Sequence, residues 1–185
     1  MMLDQSFRVS CLPRAREVAE EWRATHVVSL IDPELPDHLV PVIGRGEHIV
    51  ARLRDQETAA FTVHFPDLVV SLFETVRPAV ELPDSRILVH CHAGVSRSTA
   101  FAFCLMAHRA GAGREVEAFE AFLKIVNKPW PNRRIVEIID GHLGRGGALL
   151  QPLDALRARY PRRIDAWHRY NLRRPYQELM GGYGR

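Results

Sequence analysis

The sequence predicts an α/β fold, a central mostly parallel sheet flanked by helices. Short apolar, β-branched runs alternate with amphipathic helical stretches over the first hundred residues, and helical patterns dominate after that. The last apolar run, Ile87-Leu88-Val89, leads through a short glycine-containing loop into a strongly apolar helix. A chain of 185 residues, 46% of them hydrophobic, suits one packed domain with a short appendage and is not a disordered tail.

Residues 7–11 read as a short strand. Pro13 then opens an amphipathic helix over 15–23, with Val18, Ala19 and Trp22 on one face. Residues 26–31 are a β-branched run of the buried-strand type, ended by Asp32-Pro33. The stretch 33–46 holds three of the twelve prolines and reads as loop with an edge strand at 39–43, and 48–53 is the next strand. A helix over 65–80 carries Pro66 early and Leu68, Val69, Leu72, Phe73 and Val76 on its core face. After the turn Leu82-Pro83-Asp84, residues 86–90 are a strand, and 98–110 are a helix stopped by Gly111-Ala112-Gly113. Two more helices, 115–126 and 131–143, precede a break at 144–147. The division expected is a catalytic unit over 1–150 and a basic, aromatic C-terminal arm over 151–185.

The chemistry concentrates in His90-Cys91-His92-Ala93-Gly94-Val95-Ser96-Arg97-Ser98-Thr99. A cysteine and an arginine at this spacing are a weak signal alone in so arginine-rich a chain. The preceding strand, the central glycine and the following helix make it specific. A phosphate dianion needs many converging donors, and a tight loop feeding a helix N-terminus supplies backbone N–H groups and a favourable dipole. Gly94 permits the positive φ at which the loop curls. Arg97 offers a planar fork that grips two phosphate oxygens, which lysine lacks. Cys91 is the candidate nucleophile, Ser98 a hydrogen-bond donor to its thiolate, and His90 a brace for the loop. His92, Ala93, Gly94, Val95 and Ser96 complete the phosphate-binding turn, with His92 setting pocket polarity or facing solvent as a spacer. A zinc site on His90-Cys91-His92 fails sterically, because alternate residues of an extended segment point to opposite sides.

Breaking a phosphate ester also calls for a carboxylic acid near the leaving group. In a parallel sheet the site lies at the carboxyl ends of the strands. Asp55 and Asp32 each follow a strand and share that edge with Cys91. Asp84 precedes the Cys91 strand and falls at the opposite edge. Asp67 opens a helix, where the dipole alone explains a carboxylate. Asp55 ranks first, Asp32 and Asp67 follow, and Glu57 is a weaker substitute.

The loop resembles the His-Cys-x-x-Gly-x-x-Arg-Ser/Thr signature of cysteine-dependent protein phosphatases, and looks most like a small member of the dual-specificity branch. The likeness spans residues 7–143 in the order of elements and is specific at the loop. It implies a two-step reaction in which Cys91 forms a cysteinyl-phosphate that water then hydrolyses, with no metal or organic cofactor. It places the acid at Asp55. Asn132, in Pro129-Trp130-Pro131-Asn132, resembles the family's Pro-Asn pair that supports the loop, and a plain helix cap is the other reading. Members acting on inositol lipids often carry lysines in this loop. Its variable positions here hold none, which favours phosphoproteins over phosphoinositides.

The remaining features bound the cellular setting. Residues 151–185 carry a net +5 and the rest of the chain −2, so the basic character belongs to the arm. Its run from Tyr160 through Trp167 to Tyr176 mixes arginines with aromatic rings. That suits packing on its own domain or a dimer mate, or an acidic partner, more than nucleic acid. The N-terminus lacks the pattern of a signal peptide, and no apolar run approaches the roughly 20 residues that span a bilayer, so a cytoplasmic protein off the membrane is expected. Cys11, Cys91 and Cys104 form no disulfide or zinc pattern. Cys104 reads as core filler, with a resolving-thiol role as the sharper alternative. Function classes other than a phosphomonoester hydrolase are a phosphate-recognition module without turnover and a scaffold acting through its basic arm.

Overall fold

Strands rich in branched apolar residues on both faces need cover on both sides, and the chain supplies it. The structure, a computed structural model, describes residues 2–57 and 64–173. Its strands are β1 (Phe7–Cys11), β2 (His26–Ile31), β3 (Glu47–Arg52) and β4 (Ile87–Cys91). They form an all-parallel sheet in the order β1-β4-β2-β3. The helices are α1 (Leu3–Ser6), α2 (Ala15–Glu21), α3 (Phe65–Glu81), α4 (Arg97–Ala110), α5 (Glu115–Ile125), α6 (Arg133–His142), α7 (Leu150–Arg159) and α8 (Arg163–Arg173).

Alternation along the strands divides the core. Ile87, Val89 and Cys91 of β4, with Val28 and Leu30 of β2, face a large cluster built with α3 to α7. Leu88 and Val27 face the other way, where Ala19 and Val18 of α2 and Trp22 just after it cover them. The central helix α4 is apolar nearly all round and buried nearly all round, from Arg97 through Ala107. Its buried N-terminus therefore cannot shift without disturbing the core on every side.

Two expectations need correction. No strand forms at 39–43; the chain makes a 3-10 turn at Asp37–Leu39 and then runs irregularly to β3. Pro41 cannot donate to a ladder. The guanidinium of Arg52 instead bonds the carbonyls of Pro33 (3.1 Å) and Leu35 (2.7 Å), satisfying loop backbone without strand pairing. The second concerns the basic, aromatic arm over 151–185, for which the sequence suggests no regular element. Within the described residues it forms α7 and α8, and Leu149, Leu153 and Leu156 join the main core. The spacing of those leucines is helical and was the available signal. Arg174, Pro175 and Tyr176 lie outside the described residues.

Leu153 is fully buried, so Leu153→Ala should cost about 2–5 kcal/mol of unfolding free energy by urea titration. A loss under about 0.5 kcal/mol, the usual range for surface positions, would place α7 outside the cooperative core.

Candidate active site

The ends of three strands meet at the loop between β4 and α4. Asp32 follows β2, Leu53 to Asp55 follow β3, and His92 to Ser96 follow β4. This is the carboxyl edge of the sheet, where a parallel fold opens a crevice. There Cys91 lines a cavity of about 560 Å³ together with Asp32, Asp55, His92 and Arg97.

Backbone geometry aims the loop. Its peptides are all trans, so each carbonyl points opposite to the next residue's N–H. The carbonyls of His92, Val95 and Ser96 point out of the loop, accepting bonds from the N–H groups of Leu12 (3.1 Å), Trp130 (3.0 Å) and Asn132 (3.2 Å). The N–H groups of Ala93, Ser96 and Arg97 are thereby turned inward. Gly94 has φ +71°, and a Cβ there would stand 2.8 Å from the Ser10 carbonyl oxygen, so only glycine lets the loop lie this close to β1. The Thr99 hydroxyl bonds the Val95 and Ser96 carbonyls and fixes the loop to the first turn of α4.

The side chains converge on the same spot. Cys91 Sγ lies 3.1 Å from Ser98 Oγ. Arg97 is 4% exposed, and its Nη1 donates to Asp32 Oδ1 at 2.8 Å and to the Leu53 carbonyl at 2.6 Å. Its Nε is buried with no hydrogen-bond partner among the described residues. Asp55 Oδ1 accepts from Ser96 Oγ at 2.8 Å and from Asn132 Nδ2 at 2.7 Å. Asn132 combines the two readings of its position. Its Oδ1 caps α6 by accepting from Ile135 N–H at 3.0 Å, and its Nδ2 holds Asp55 beside the loop. Asp67 is exposed in the first turn of α3 and Asp84 is exposed in the turn before β4, and neither lines the cavity. Glu57 accepts from the Arg133 N–H at 3.0 Å and pairs with Arg157, which ties it to α6 and α7.

The histidines are structural neighbours of the thiol. His90 is fully buried, with Nε2 2.5 Å from Ser29 Oγ, and Ser29 Oγ is also 2.7 Å from His48 Nε2. Burial pushes the His90 pKa down to about 4. His92 is buried, which overturns its reading as a solvent-facing spacer. Its Nε2 accepts from the Asp32 N–H at 3.0 Å and lies 3.3 Å from Asp32 Oδ2. Burial lowers its pKa as well, outweighing the raising influence of Asp32. Cys104 is fully buried in the core, and burial pushes its thiol pKa up, which disfavours the reactive thiolate. Cys11 is the register partner of Cys91 on the neighbouring strand.

Sequence reasoning missed the Leu53 carbonyl, the Ser29–His48 relay, and Ile164 and Trp167 of α8, which also line the cavity. Contacts between segments this far apart leave no local signature.

No protein-family model and no curated protein matches the sequence. Solved structures do resemble it. The human tyrosine phosphatase-like serine/threonine/tyrosine-interacting protein superposes with a TM-score of 0.56 at 16% identity, covering 77% of this chain and 94% of that one. The PTP-2 phosphatase of Cydia pomonella gives 0.54 at 23% identity, covering 76% and 87%. Human DUSP28 gives 0.51 at 16% identity, covering 76% and 90%. The chain thus has the fold of the dual-specificity and tyrosine phosphatases.

The depressed His90 pKa makes stability depend on pH. Below its ordinary value of 6.5 the unfolded chain binds a proton that the folded protein refuses until about pH 4. Stability is complete above about pH 6.5 and is lost as the pH falls toward 4; His90 should account for about 2 kcal/mol between pH 7 and pH 5. Urea titrations at the two pH values should show that slope, reduced in His90→Gln. His48, whose pKa burial also lowers, remains in both proteins. Equal slopes in the two proteins would contradict a buried neutral His90.

Proposed function

We propose that the chain hydrolyses phosphomonoesters, phosphotyrosine and also phosphoserine or phosphothreonine, through a cysteinyl-phosphate on Cys91. One observation carries the reading. The Cys91 thiol shares a cavity with a buried guanidinium whose Nε has no partner among the described residues, at the N-terminus of α4, beside loop N–H groups turned inward. Such a place favours a dianion with oxygen acceptors.

The reaction follows from the positions. The Cys91 thiolate attacks phosphorus while Arg97 and the loop N–H groups hold the three non-bridging oxygens. The bond to the leaving oxygen breaks, and that oxygen takes a proton from Asp55. Both donors to Asp55 reach Oδ1, which leaves Oδ2 to carry the proton. In the second step water gives a proton back to Asp55 and displaces the thiolate, releasing phosphate. Ser98, at 3.1 Å from Sγ, donates to the departing thiolate. His90 and Asn132 act by positioning, the first under the loop and the second on Asp55.

The lysine-free loop interior supports phosphoprotein over phosphoinositide. A thiolate nucleophile also requires a reducing compartment, as the cytoplasm provides. Among the described residues no helix is long and apolar enough to cross a membrane.

Hydrolysis of an aryl phosphate should proceed without added metal, be blocked by vanadate, and vanish in Cys91→Ser. Turnover surviving in that variant would sink the mechanism. Asp55→Ala should slow esters with poor leaving groups by about 10²–10⁴-fold and those with good ones far less, because only the former need the proton. Equal losses across a leaving-group series would move the acid elsewhere.

A further inference from the structure

The C-terminal arm reaches the cavity. Ile164 and Trp167, one turn apart on α8, form one wall of the space whose base holds Cys91 and Arg97. The rest of the lining includes Asp32, Glu34, Arg54 and Asp55, all charged. With Ala93 and Val95 of the loop, Ile164 and Trp167 supply the lining's apolar groups, and they are its largest.

Their position is built from the loop outward. Trp167 Nε1 donates to the Lys128 carbonyl at 3.1 Å, and Arg163 Nη1 donates to the Pro129 carbonyl at 3.2 Å. The same short segment bonds the phosphate loop, through Trp130 N–H to Val95 and Asn132 N–H to Ser96. Lys128 holds φ at +49°, in the left-handed region, where the segment turns. Arg157 of α7 lies 4.7 Å over the Trp130 ring and donates to the Pro131 carbonyl at 2.7 Å, bracing the segment from the other side. One set of bonds thus locates both the loop and the α8 wall. With its N–H bonded to a carbonyl, the indole offers an apolar body to the cavity.

We propose that Trp167 and Ile164 are specificity-determining residues that receive the ring of an aryl phosphomonoester, such as the phosphotyrosine side chain, in preference to an alkyl ester. The proposal rests on the reading of this cavity as the phosphate site. An aromatic ring gains from offset or edge contact with the indole, whereas a serine- or threonine-sized group is too short to reach such a wall with comparable area.

Binding of phenylphosphonate and methylphosphonate, neither of which is hydrolysed, tests this by calorimetry. The proteins are the wild type, Trp167→Ala, Trp167→Phe and Ile164→Ala, the last keeping the indole anchor intact. Trp167→Ala should weaken phenylphosphonate about ten-fold, leave methylphosphonate unchanged, and be largely rescued in Trp167→Phe. Ile164→Ala should shift the same ratio less. Equal losses on both probes, or no loss on either, would overturn the proposal. Turnover of phenyl phosphate and glycerol phosphate separates it from the hydrolase reading. Trp167-dependent phenylphosphonate binding without turnover would leave the wall standing and remove the reaction. Turnover with an unchanged aryl-to-alkyl ratio in Trp167→Ala would do the reverse. A rise of turnover on both substrates in that variant would make α8 a lid and also contradict the wall.

Discussion

Arg97 holds a full positive charge in the first turn of α4, where the helix dipole is already positive, and it does so almost wholly out of water. A cation there is costly unless its donors are met. Asp32 supplies the opposing charge and the Leu53 carbonyl a second acceptor, which draws the ends of β2 and β3 together at the end of β4. Among the described residues the buried Nε of Arg97 has no acceptor. An anion with oxygen acceptors, such as the phosphate of the proposed substrate, would meet that donor. The convergence of the three strand ends around the cavity follows from that one charge.

The surrounding bonds keep the deficit from being relieved by collapse. The carbonyls of His92, Val95 and Ser96 are held outward by Leu12, just after β1, and by the segment before α6, which keeps those three from turning inward to Arg97. Gly94 lets the loop lie against Ser10 with no room for a side chain. Asn132 performs two tasks with one amide, capping α6 through its oxygen and holding Asp55 through its nitrogen. Placement of Asp55 is thus coupled to the start of a core helix rather than left to a surface loop. The arm continues this support, since Arg157 and Arg163 direct donors to the carbonyls of Pro131 and Pro129.

What was legible in the sequence was local. The four strands were placed to within a residue, most clearly β2 and β4, where burial on both faces leaves a continuous branched apolar run. The loop from His90 to Ser98 carried the residue types that the proposed phosphate site requires. Asp55 was reachable by sheet-edge reasoning, since it follows a strand. Its bonds to Ser96 and Asn132 were not, because they join residues that only the tertiary fold brings together. The strand order that sets Cys11 beside Cys91 was hidden for the same reason. The edge strand expected at 39–43 failed because proline and the Arg52 side chain settle that backbone differently. In the arm, many arginines masked the helical spacing of Leu149, Leu153 and Leu156, and with it the approach of Trp167 to the cavity.

A crystal structure of the protein with orthovanadate bears most directly on the claim that Arg97 and the loop await a phosphate-like anion. The vanadium should lie within bonding distance of Cys91 Sγ, with Arg97 Nε and the N–H groups of Ala93, Ser96 and Arg97 donating to its oxygens. Vanadate seated away from Cys91, or bound there with Arg97 Nε still unpartnered, would contradict the account.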